Sequence, residues 1–97
     1  MNKKLQDENI DFLFKAVLKL ENVEECYNFF EDICTVQELK SIAQRLTVAK
    51  LLTEKHVYNH IVKETGASTA TISRVNRTLG YGNDGYNLIL ERLSGES

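Results

Sequence analysis

The chain has 97 residues, 42% of them apolar and 27% charged, with a formal charge of −2 and no proline. That length allows one domain, residues 1–97, with one small core, and leaves no room for a linker or a second catalytic body. No apolar run approaches the roughly 20 residues that span a bilayer, the amino terminus lacks a leader's apolar core, and Cys26 and Cys34 lack ligand-like spacing; a cytoplasmic protein with reduced thiols and no membrane partner is expected.

Strand-like alternation is scarce, so the expected class is all-α. The first predicted helix covers about Asp7 to Leu20, with Ile10, Leu13, Phe14, Val17 and Leu18 on one apolar face. Asn22 then reads as an N-cap, closed by Glu25 three residues on, and Val23, Cys26, Tyr27, Phe30 and Ile33 form the buried stripe of the second helix. Thr35 and Glu38 open a third helix in the same way. Its apolar set, Leu39, Ile42, Ala43, Leu46, Ala49 and Leu52, widened by Val48 and Leu51, nearly encircles it and implies burial on several sides.

The next stretch, Tyr58 to Arg77, reads YNHIVKETGASTATISRVNR. Counting from Tyr58, Ile61, Ala67, Ile72 and Val75 stand at positions 4, 10, 15 and 18, and Gly66 at position 9. Those are the inner-face and turn positions of a helix-turn-helix, where a left-handed backbone costs glycine nothing. The opposite face of the second helix, placed at 68–79, then holds Ser68, Thr69, Ala70, Ser73, Arg74 and Arg77. Hydroxyls, a methyl and two arginines without an acid suit phosphates and base edges, so double-stranded DNA is the expected partner. With Asn59 and Lys63 from the first motif helix and Thr71, these residues make up the expected DNA-binding set. After the motif, GYGNDG reads as a turn-rich link, and Tyr86, Ile89, Leu90 and Leu93 as one side of a short closing helix, Tyr86 to Leu93.

The net charge hides an asymmetry. Residues 1–34 carry four basic and eight acidic side chains, whereas residues 35–79 carry seven basic (Lys40, Arg45, Lys50, Lys55, Lys63, Arg74, Arg77) and three acidic. Positive potential is thus concentrated around the motif. So few cations on one copy would neutralise only a handful of phosphates, and the apolar surplus of the first three helices asks for a covering surface; both point to a homodimer. Enzymatic readings find little: His56 and His60, four apart on one expected helix face, lack the intervening glutamate of a zinc protease and a third ligand, so neither a metal site nor catalysis is expected. The two cysteines read as buried small hydrophobes. A different class stays open, a helical protein-interaction module that docks another regulator without binding DNA.

The segment Thr35 to Leu79, and above all GAS-x-ATISR within it, resembles the Trp repressor family, and the whole chain looks like its YerC/YecD-type tryptophan-repressor-like branch. The resemblance implies an all-helical, intertwined dimer that binds palindromic operators as a transcription repressor. It implies base contacts at Thr69, Ala70 and Ser73 and phosphate contacts near Thr71 and Arg74. The family's indole site, an aromatic ring between two arginines, matches Arg45 and Arg74, with Thr35, Thr71 and Thr78 at the hydroxyl positions. Yet the glycine that follows the second arginine in tryptophan-binding members is Val75 here, and two methyls fill the space a ring would need. No cofactor and no tryptophan corepressor is therefore expected, which leaves Arg45, Arg74, Thr35 and Thr78 to some other small-molecule effector or, as favoured here, the two arginines to DNA phosphates. Val57, where the family has a capping hydroxyl, and Val62, where it has a basic residue, are further departures.

Overall fold

The computed structural model describes residues 7–95, which form six helices: α1 (Glu8–Val17), α2 (Val23–Ile33), α3 (Val36–Thr53), α4 (Tyr58–Thr65), α5 (Thr69–Tyr81) and α6 (Gly85–Ser94). No strand occurs among the described residues, and the all-helical class is as expected. None of these helices is long and apolar enough to cross a membrane. The chain divides into two compact units, one reaching Leu39 and the other beginning at Lys40. The ends of the expected 1–97 domain, residues 1–6 and 96–97, lie outside the described residues.

In the first unit, local capping chemistry sets where the helices begin. Asp7 accepts from the Ile10 amide at 2.7 Å and starts α1. The helix ends at Val17 rather than Leu20, because its last turn tightens to i→i−3 bonds, Lys19 to the Ala16 carbonyl and Leu20 to that of Val17. Asn22 caps α2 through the Glu25 amide at 2.8 Å, while the Glu25 carboxylate reaches one residue beyond the cap, to the Glu21 amide at 2.9 Å. Thr35 and Glu38 form the full reciprocal box at the head of α3, at 2.8 and 3.1 Å. The stripe expected to be buried on α2 is not: Val23, Tyr27 and Ile33 are exposed, and Cys26, Phe30 and Cys34 are half-buried, so the cysteines are not core residues either. No described residue of this unit is fully buried.

The second unit contains the core. Val48 and Ala49 of α3, Ile61 of α4, Ala67 of the turn, and Ile72 and Val75 of α5 are at most 2% exposed, and Leu51, Leu52, Tyr58, Val62, Leu79, Tyr86 and Leu90 pack around them. The four apolar motif positions read from the sequence are therefore all core. The wide apolar band of α3 is less buried than its breadth suggested, with Ile42 and Leu46 still exposed. At its carboxyl end α3 closes in a Schellman arrangement, His56 donating to the Leu51 carbonyl and Lys55 to that of Leu52. The residue in the left-handed position there is Lys55, at φ 70°, rather than glycine.

Candidate nucleic-acid interface

Three local devices hold the α4–α5 pair. Gly66 takes φ 72° at the end of α4, and its amide donates to the Val62 carbonyl at 2.8 Å. The Thr65 hydroxyl donates to the Ile61 carbonyl at 2.7 Å and accepts from the Ala67 amide at 3.1 Å, so one side chain bridges the last turn of α4 and the start of the link. Ser68 then caps α5, accepting from the Thr71 amide at 3.1 Å and donating to the Thr71 hydroxyl. In contrast, Val57 at the head of α4 makes no side-chain cap. This start is the weaker one, as the missing hydroxyl implied.

With Ile72 and Val75 turned into the core, the outer face of α5 is fixed. Ser68, Thr69, Ala70, Ser73, Arg74 and Arg77 are all exposed, as are Asn59 and Lys63 on α4. Thr71 is half-buried and its polar groups serve the cap, so it stands behind that face rather than on it. The second motif helix runs to Tyr81, two residues past the expected end at 79. It contains no acidic residue. Within this unit, among the described residues, the single approach of a carboxylate to a basic side chain is Glu54 Oε1 to His56 Nε2 at 3.6 Å, which leaves Lys63, Arg74 and Arg77 without carboxylate partners. A row of free cations and hydroxyls on a rigid helix is suited to phosphate oxygens and base edges.

The two histidines do not share a helix. His56 precedes α4 and His60 lies within it, yet their rings stack with centroids 4.6 Å apart.

The residues matched to an effector are partly brought together. Arg45, Arg74 and Thr78 line an open cleft of about 440 Å³ with Ile42, Leu46 and Val75, and with Tyr86 and Ile89 from α6. The sequence marks Tyr86 and Ile89 only as part of a closing helix, and their three-residue spacing is the one signal it offers. Val75 is 2% exposed and belongs to the core, and the Thr78 hydroxyl donates to the Arg74 carbonyl at 3.1 Å. Thr35 belongs to the first unit, where its hydroxyl accepts from the Glu38 amide.

Comparison with known proteins gives a consistent set of likenesses. The family model described as Trp repressor protein matches residues 8–94. The chain is 54% identical over 90 residues to the uncharacterized protein YerC of Bacillus subtilis (strain 168), covering 93% of this chain and 86% of that one. A crystal structure of a TrpR-like protein from Eubacterium eligens ATCC 27750 superposes with a TM-score of 0.93 at 52% identity, covering 99% of both chains. That of a Trp repressor candidate from Staphylococcus aureus gives 0.92 at 54% identity, over 98% of this chain and 95% of that one.

Proposed function

Because the chain belongs to the Trp repressor family, we propose that it is a sequence-specific DNA-binding transcription regulator, acting as a homodimer that represses by occupying a palindromic operator. The observation that carries this is the outer face of α5: Ser68, Thr69, Ala70, Ser73, Arg74 and Arg77 are exposed together on a helix without acids, while Ile72 and Val75 anchor its other side in the core. Thr69, Ala70 and Ser73 read base edges, and Arg74, Arg77, Lys63 and Asn59 hold phosphates. The pair α4–α5 then works as a helix-turn-helix, with Gly66 as its turn.

The dimer supplies what one copy lacks. Phe12, Leu18, Val23 and Tyr27 of the first unit are 62–82% exposed, more large apolar surface than a lone small protein leaves to water. A second copy covers it and sets two α5 helices about one duplex turn apart, ~34 Å. Operator binding in this reading needs no tryptophan: Val75 stands in the cleft lining where a glycine would leave more room for a ring, and both cleft arginines serve DNA phosphates.

Selection of bound duplexes from a random pool with the purified protein tests the reading. A two-fold symmetric consensus with half-sites one helical turn apart is the expected result. Recovery of no enriched duplex at low salt would remove it in favour of a protein-docking module.

A further inference from the structure

The outer face of α5 continues one side chain beyond the residues already named. At about 100° per residue, Arg77 and Tyr81 fall within ~20° of the line through Ala70, with Arg74 about 40° to one side and Ser73 about 60° to the other. Tyr81 is the last residue of the helix and is 90% exposed. Its neighbours Gly80 and Gly82 carry no side chain that could cover it. At Gly82 none fits, since a Cβ would lie 2.6 Å from the Thr78 carbonyl oxygen. The ring therefore stands alone at the end of a basic stripe.

Distance along the axis decides what that ring can reach. Tyr81 stands eleven positions after Ala70, a rise of about 16 Å, whereas the major groove is about 12 Å wide and 8.5 Å deep. With α5 entering end-on by its amino-terminal turns, as the proposed base contacts require, Tyr81 lies past the groove wall, level with the phosphodiester backbone. Arg77 is about 6 Å nearer the bases on the same line. A phenol at that height offers a neutral O–H donor to a phosphate oxygen and an apolar ring to the adjoining sugar.

We infer that Tyr81 is a positioning residue for DNA, donating its hydroxyl to a backbone phosphate at the exit of α5 from the groove and so fixing how deeply the helix enters. This rests on the DNA-binding reading above. The duplex is the occupant of this end of the helix because the face is cationic, without acids, and continuous with the groove-reading residues.

The test compares the full-length protein with Tyr81→Phe, Tyr81→Ala and Arg77→Ala, on the selected duplex and on a scrambled duplex of equal length, across a salt series. Tyr81→Ala is expected to weaken both complexes by about tenfold, the loss of one hydrogen bond to a charged acceptor, with Tyr81→Phe in between. The salt slope stays that of the unaltered protein, because no charge has been removed, while Arg77→Ala lowers it by about 1. Full affinity in Tyr81→Ala would overturn the inference. So would a changed base preference, which places the ring in the groove, or a changed molecular mass, which places it between subunits. If the unaltered protein binds neither duplex, the DNA-binding reading itself falls and this inference with it; an indifferent Tyr81→Ala beside a binding parent sinks this inference alone.

Discussion

The side-chain amide of Gln44 donates to the backbone carbonyl of Thr65 at 3.1 Å, joining the middle of α3 to the last residue of α4. That carbonyl is one of those a helix end leaves without an intrahelical partner. The bond pins the turn immediately before Gly66, and with it the approach to α5. Gln44→Ala is expected to lower stability by about 1 kcal/mol and the midpoint of thermal unfolding by roughly 4–8 °C. Gln44→Glu should lower it further at neutral pH, since a carboxylate cannot donate. Circular dichroism melts at one fixed protein concentration read both, and equal melting of Gln44→Ala and the parent would show the bond to be idle.

Groups on the outer face of α5 should fail in different ways when removed. Ser73→Ala and Thr69→Ala are expected to relax base preference, by about 1 to 3 kcal/mol per lost contact. Arg77→Ala should weaken binding to every duplex alike and flatten its salt dependence. Competition binding with single-base variants of the operator separates the two patterns. An unchanged preferred site and full affinity in Ser73→Ala would move the base-reading face elsewhere.

The Thr35–Glu38 box predicts an acid-side loss of stability. The Glu38 carboxyl lies below the ordinary glutamate range, chiefly because the Thr35 backbone amide donates to it, then through the Thr35 side chain, against a small opposing effect of desolvation. A carboxyl depressed in the folded state contributes stability that is present above its unfolded pKa, about 4.3, and is lost as pH falls through the lower folded value. Glu38→Gln keeps an acceptor but does not titrate. Urea unfolding between pH 6 and 3 should therefore show a shallower acid decline for Glu38→Gln than for the parent; parallel curves would contradict the box as the source.

Val75 bears on the effector. Calorimetric titration with L-tryptophan is expected to show no binding tighter than roughly millimolar, a free energy of about −4 kcal/mol. Operator affinity should be the same with and without the amino acid. A micromolar dissociation constant, or a tenfold gain in operator affinity, would mean that the helix shifts to admit a ring despite the valine.

Assembly is the remaining prediction. With no described residue of the first unit fully buried, its helices should lose their structure when the partner copy leaves, so dissociation accompanies unfolding. Light scattering at micromolar concentration should return the mass of two chains, and the melting midpoint should rise with protein concentration. A monomer mass with full helicity would be incompatible with this.

What the sequence determined by itself was the local part. Asn22, Thr35 with Glu38, and Gly66 act through hydrogen bonds and backbone angles within four residues, so side-chain type and spacing alone locate those helix starts and the turn, whereas Ser68, read only as part of the outer face, proves also to be the cap of α5. The periodicity of Ile61, Ala67, Ile72 and Val75 was legible for the same reason, because a helix converts spacing into a face, and burying that face left the polar residues of α5 outside. Tertiary structure decided the rest. Gln44 meets Thr65 from 21 residues away, and Arg45 comes to share a cleft with Arg74, Tyr86 and Ile89, relations that composition and spacing do not encode. Two residues more of α5 set Tyr81 at the end of the basic stripe, because the helix stops only at Gly82, where the backbone turns extended. The stripe of Val23, Tyr27 and Ile33 was apolar as read, yet it is exposed in a single chain. An apolar pattern states that a surface avoids water; which surface covers it depends on what three-dimensional packing brings there.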